Sequence, residues 1–199
     1  MILGLRMPSA GEVRVLGHDM ARDRHRALAC TNFSPPYVDL PKRLTVAQNL
    51  GVYALLNGVP DRRARIAALA RDLAFTDLLA RPCGTVSAGQ RSRVHLGKAL
   101  LNRPEVLLLD EPTASLDPDA ADLVRSYLER YRRESRATIL LASHNMREAE
   151  RLCDDVAMLR RGRLVDRGSP ATLIARHGGA DLEQVFLDIA RDPTAAAAN

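Results

Sequence analysis

Four short polar runs in this chain have the residue types and order that chemistry on an anionic substrate needs. Asp110-Glu111 follows the apolar run 106–109 and is closed by Pro112. An Asp at the end of a strand can hold Mg²⁺, usually through water, because that ion wants hard oxygen ligands and keeps several waters. The Glu beside it can polarise an attacking water. Ser143-His144 follows a second apolar run, 138–142, and a His there can orient that water or touch a terminal phosphate. Ser87-Ala88-Gly89-Gln90 reads S-x-x-Q, a capping box that opens a helix. The same geometry aims unpaired N–H groups and a positive dipole end at an anion, and Gly89 permits close backbone approach. Ser115-Leu116-Asp117 completes the set. Each run also has an ordinary reading. An acid pair before proline ends a strand, a lone His after a strand is a solvated turn residue, and S-x-x-Q merely starts a helix.

The elements that must position these residues read as an α/β domain. Residues 1–7 read as the end of a helix, 8–11 as a turn, and 12–16 as a short strand ending at Gly17. Ser34-Pro35-Pro36 is a loop. Thr45 and Gln48 form a T-x-x-Q box opening a helix that should stop near Gly58. Residues 61–79 are a second helical stretch, with Ile66, Leu69 and Leu73 at helical spacing. Residues 44–82 therefore form a small helical insert and, with the helix after Ser87, a helical subdomain of about 44–103. The run 106–109 has the character of a strand buried on both faces. A helix over 119–133, a strand over 138–142, a helix over 145–152 and a strand over 156–159 follow. Arg161-Gly162-Arg163 then turns into Leu164-Val165. Strands alternating with helices predict a parallel sheet with helices on its faces. Ligands of such sheets collect outside the carboxyl ends of the strands, where Asp110, Glu111 and His144 fall.

Composition bounds the answer loosely. With 46% hydrophobic and 27% charged residues in 199, the chain is globular and of one-domain size. No apolar run approaches the ~18 residues that span a bilayer. The first residues lack a basic leader with an apolar stretch and cleavage site, so no signal peptide is expected. Cys30, Cys83 and Cys153 lie far apart without metal-ligand spacing and read as reduced thiols of a cytosolic protein. The net charge of +5 is carried almost wholly by Arg. Arg62-Arg63-Arg65 and Arg130-Arg132-Arg133 lie on expected helices with acids nearby, which favours solvated faces over a nucleic-acid site.

Taken together, V-S-A-G-Q at 86–90, L-L-L-D-E-P at 107–112, S-L-D at 115–117 and S-H at 143–144 resemble the ATP-binding cassette (ABC) ATPases. The resemblance covers nearly the whole chain. Residues 86–90 match the signature motif L-S-G-G-Q, with Ala88 at its variable position. The run 106–110 resembles the Walker B strand, which makes Asp110 a Mg²⁺ ligand through water. Glu111 stands at the catalytic-base position, Ser115-Leu116-Asp117 at the D-loop and His144 at the switch histidine. The fold implied is a P-loop NTPase-like parallel sheet flanked by helices, with a small helical subdomain. One partial ATP-binding domain should cover 1–193, followed by an alanine-rich, disordered tail over 194–199. Residues 181–187, D-L-E-Q-V-F-L, are similar to the tails of cassettes that serve efflux-type permeases.

The chain also departs from that pattern. Nothing in it matches G-x-x-x-x-G-K-[ST]. Its two lysines are Lys42 and Lys98, and Gly97-Lys98 is followed by Ala99. Family members carry an antiparallel strand pair, an adenine-stacking aromatic and the phosphate loop before the segment that resembles residues 1–17. The expectation is therefore a chain shortened at its N-terminus, by start assignment or recent truncation, without useful ATP affinity of its own. The family's Q-loop glutamine should follow Phe33, where Ser34 stands instead.

The resemblance further implies that two cassettes face each other as a homo- or heterodimer. Each nucleotide then lies between one phosphate loop and the other chain's signature motif. Implied partners are ATP with Mg²⁺ and transmembrane permease subunits at the cytoplasmic face of the membrane. The expected function is the ATP-hydrolysing subunit of an efflux-type transporter. The alternative is a non-hydrolysing subunit that lends its signature motif to a complete cassette. A nucleic-acid-directed member of the family is opposed by the lack of a coiled-coil insertion or a second cassette.

Overall fold

Asp110 closes a buried strand whose neighbour runs parallel to it, in a computed structural model that describes residues 1–35 and 39–191. The strand is β4 (Val106–Asp110) and the neighbour β3 (Thr31–Ser34). With β5 (Thr138–Ala142) they form a sheet in the order β3-β4-β5. Leu107 and Leu109 on one face are almost wholly buried and Val106 on the other face is 8% exposed, as a strand covered on both faces requires. The chain divides into two units, Met1–Leu140 and Leu141–Asn199.

In the first unit, β1 (Arg14–Val15) pairs antiparallel with β2 (His18–Asp19), and α1 (Arg24–Ala29) follows. Val15, Met20, Ala27 and Val106 pack there into one core cluster. The helical insert comprises α2 (Val46–Leu56) and α3 (Arg62–Asp72), with α4 (Ala88–Ala99) after it. Its two ends are zipped together. Cys83 N–H donates to Leu44 O at 2.9 Å, Gly84 N–H to Lys42 O at 3.0 Å, and Thr45 bridges to Pro82. Leu50, Leu69, Leu73, Phe75 and Leu78 are fully buried. α5 (Pro118–Ser135) leads from the acidic pair to β5.

In the second unit, α6 (Met146–Leu152) precedes the antiparallel hairpin of β6 (Val156–Arg160) and β7 (Arg163–Gly168). The turn Arg161-Gly162 has both φ angles positive, as a two-residue hairpin turn requires. α7 (Pro170–His177) and α8 (Leu182–Arg191) close the unit. Met146, Ala149, Met158, Leu173, Leu182 and Val185 form its core.

Two expectations fail on local grounds. Residues 1–7 form turns rather than a helix end. Gly4 takes φ +65° and returns its N–H to Met1 O at 2.8 Å, so the backbone leaves the helical region there and closes a turn. The helical stretch 61–79 breaks at Leu73. Ala74 adopts the left-handed conformation, Phe75 N–H reaches back to Ala70 O at 2.7 Å, and only a short 3₁₀ turn, Thr76–Leu78, remains. With Ala74 N–H donating to Arg71 O at 3.2 Å, the pair of bonds is a Schellman stop, with alanine where glycine is usual. Residues 36–38 of the expected loop and the tail 194–199 lie outside the described residues.

Candidate functional site

In the first unit a cleft of about 300 Å³ gathers five of the residues singled out from the sequence: Ser34, Ala88, Asp110, Glu111 and Ser115. The sheet supplies three of them. Ser34 pairs in register with Leu109, so the hydroxyl-bearing end of β3 lies beside the strand end that carries the acids. Glu111 follows at φ +49°. A non-glycine residue costs about 1–3 kcal/mol in that region, so this carboxylate sits on a strained turn.

α4 supplies the opposite wall. Ser87 Oγ accepts the Gln90 N–H at 3.2 Å, and Gln90 Oε1 accepts the Ser87 N–H at 2.9 Å, completing the capping box. A hydroxyl that accepts one bond still has its own proton to donate, so capping leaves Ser87 able to hold an anion. Gln90 spends its side chain on the cap.

Gly89 serves a contact that the sequence did not disclose. A Cβ there would stand 2.8 Å from the Ser115 carbonyl oxygen. The turn 115–117 is thus pressed onto the start of α4. Its last residue, Asp117, accepts the Ala120 N–H at 2.9 Å and caps α5, with Pro118 in the first turn. Leu116 is half-buried against Gly89.

Three further residues of α4 were missed in the sequence: Arg91, His95 and Lys98. Arg91 Nη1 donates to Asp39 Oδ1 at 2.9 Å. That bond, with Lys42 close by, holds the Asp39 carboxyl below the usual carboxylate range. His95 also lines the cleft but is buried, and its Nδ1 has no hydrogen-bond partner. Burial first, and the Lys98 and Arg91 charges after it, push the imidazole down to about 4. It is neutral at pH 7. Lys98 Nζ lies 5.0 Å from the Tyr53 ring centre and 5.5 Å from that of Phe33. The signal that could have found these residues is their i, i+4, i+7 spacing on the helix opened by Ser87.

Ser143 and His144 belong to the second unit, in the turn between β5 and α6, where His144 is exposed. Among the described residues no group of three or more His, Cys, Asp or Glu could hold a metal. Asp110 and Glu111 with the Ser34 and Ser115 hydroxyls are hard oxygen donors on one cleft. That set suits Mg²⁺ held jointly with substrate phosphates, since this ion keeps its waters and rarely takes an all-protein cage.

A parallel strand that hands an acidic pair to a cleft, beside a capped and glycine-bearing helix start, defines a P-loop NTPase-like α/β domain. A family profile described as ABC transporter matches residues 1–114. A solved ATP binding subunit of an ABC transporter is similar with a TM-score of 0.85 at 25% identity, over 96% of this chain and 80% of that one. The Nod factor export ATP-binding protein I of Ralstonia nicotianae is 35% identical over 190 residues, 94% of this chain and 59% of that protein. Its namesake in Paraburkholderia xenovorans is 36% identical over 193 residues, 94% of this chain and 62% of that protein. The chain thus spans about six tenths of the length of these curated relatives. It belongs to the ABC transporter family, whose reaction is ATP and water to ADP and phosphate.

Proposed function

We propose that this chain carries the acidic pair, signature motif and switch histidine of the ATP-hydrolysing subunit of an export-type ABC transporter, completed by a phosphate loop that these 199 residues do not contain and working on the cytoplasmic face of the membrane with transmembrane permease subunits. The observation that carries the reading is the cleft itself, which gathers Ser34, Ala88, Asp110, Glu111 and Ser115. The export direction rests on the relatives named for Nod factor export. No helix among the described residues is long and apolar enough to cross a membrane, so crossing would fall to the partner subunits. The ATP-binding domain is read as 1–193, with its helical subdomain over about 44–103.

Each site residue then has a task. Asp110 would hold Mg²⁺ when it is bound, with Ser34 beside it at the Q-loop position. The ion, when bound, neutralises charge on the phosphates. Glu111 takes a proton from the attacking water, and its strained turn fixes the direction of the carboxylate. His144 orients that water or the terminal phosphate. Ser87, Ala88 and Gly89, at the positive end of α4, face the nucleotide of a second cassette, and Gln90 keeps Ser87 in place. Ser115, Leu116 and Asp117 link that helix start to the acidic pair.

The test is Glu111→Gln in the whole protein. The amide keeps the size and polarity of the side chain but cannot take a proton. Filter-binding should find ATP retained, while phosphate release falls by roughly 10²-fold or more. Turnover at the wild-type rate removes Glu111 from the mechanism.

A further inference from the structure

The turn that carries His144 is built around a buried acid that the proposed chemistry does not use. Glu148 lies on the first turn of α6 and is 1% exposed. A buried carboxylate is costly unless hydrogen-bonded, and its helical neighbours Met146 and Ala149 pack in an apolar core where an aliphatic side chain would avoid that cost. Its surroundings explain what the carboxylate does. Ser143 Oγ donates to Glu148 Oε2 at 2.8 Å. The same Oγ accepts the Asn145 N–H at 3.1 Å. Asn145 Oδ1 in turn accepts the Glu148 N–H at 3.2 Å. The three bonds close a ring through residues 143, 145 and 148, and His144 stands between two of its members.

We propose that Glu148 is a positioning residue for His144, holding the turn 143–145 through this ring of hydrogen bonds. The logic is that of a rotor with a stop. Ser143 has a freely turning hydroxyl. Once it accepts from Asn145, its proton must point elsewhere, and Glu148 receives it. The backbone on both sides of His144 is thereby fixed before any substrate arrives, which is the condition for a group that must meet a water or phosphate in one orientation. An N-cap alone would fix only the helix start. The ring adds the residue on the strand side of His144.

The proposal rests on the role assigned to His144, so the experiment reads turn order and turnover separately. Glu148→Ala, Glu148→Gln and Ser143→Ala are made in the whole protein. Amide order parameters are measured by ¹⁵N relaxation, and kcat and KM for ATP on the same samples. Wild-type His144 and Asn145 amides should be rigid, near 0.85, and should fall towards 0.6 in Glu148→Ala and Ser143→Ala. In those variants kcat should drop about tenfold to a hundredfold with KM little changed, since misplacement of the reacting group is the fault. Glu148→Gln should restore most of both, because its amide oxygen still accepts the Ser143 hydroxyl. Rigid amides in both alanine variants, or a glutamine variant as impaired as alanine, overturn the proposal. Should Glu148→Ala not fold, Ser143→Ala decides alone, since it removes the middle of the ring and leaves the carboxylate. Mobile amides with unchanged kcat, in these variants and in His144→Ala alike, support the positioning and remove His144 from the chemistry instead.

Discussion

Inside the cleft, His95 is a buried imidazole held down to about 4 beside Lys98 and Arg91. Its folded value lies below the ordinary 6.5, so between these two pH values the unfolded chain binds a proton that the folded one refuses. The stability this contributes is present above pH 6.5 and lost as pH falls towards 4. Unfolding free energies from urea titrations at pH 7 and pH 5 should differ by about 2 kcal/mol from this group, and His95→Leu should remove that part of the difference. An unchanged acid response in the variant would place the titration elsewhere. Gly89 makes a steric claim of the same kind. Its missing Cβ is the room taken by the Ser115 carbonyl, so Gly89→Ala must push the turn 115–117 away from α4. Helix propensity favours alanine by about 1 kcal/mol, yet overpacking should dominate and leave the variant roughly 1–2 kcal/mol less stable in urea titrations. A variant as stable as wild type would mean that the turn yields freely.

Among the elements, α3 ends in a stop that carries avoidable strain. Ala74 holds φ +53°, where an L side chain crowds the following carbonyl and glycine does not. Ala74→Gly should raise stability by about 0.5–1 kcal/mol after glycine's greater chain entropy is subtracted, readable as a higher thermal midpoint. A lower midpoint would show that Ala74 packs usefully. The same stop explains why the stretch 61–79 looks like one helix in the sequence: glycine announces such an ending and alanine does not. The site's own elements were more legible. Thr45 and Ser87 begin capped helices because hydroxyl and amide stand three residues apart, and 106–109 forms a buried strand because four apolar residues precede two acids. β3 was not legible. T-N-F-S alternates nothing apolar, and it is a strand only because β4 pairs with it. α1 escaped for a similar reason, being six residues without a side-chain cap. Of the cleft, the acids and the helix start were readable from local order. Spacing alone puts Arg91 and His95 on one face of that helix, but Asp39 was not readable, because only the fold brings its distant loop to that face.

Over the whole molecule the net charge of +5 invites a nucleic-acid partner, and the ion pairs argue against one. Arg22, Arg26, Arg91, Arg130, Arg167 and Arg176 each stand against a carboxylate: Asp19, Asp23, Asp39, Asp72, Asp155 and Asp166. Surface pairs of this kind contribute little stability, but they break up any continuous basic stripe. Fluorescence anisotropy with duplex DNA should find binding no tighter than about 10⁻⁶ M at physiological salt. Tighter binding that falls steeply between 50 and 200 mM salt would reopen that class of partner. The chain has no tryptophan and four tyrosines, which gives the Lys98 contact a practical use. Its ammonium faces one ring from β3 and one from α2, so it reports on the sheet and the helical insert at once. Phe33→Trp would place a sole indole there, a stronger partner for the cation than the phenyl ring it replaces. Its emission would then serve as an optical gauge of how far the insert swings from the sheet, on a time base as short as stopped flow permits.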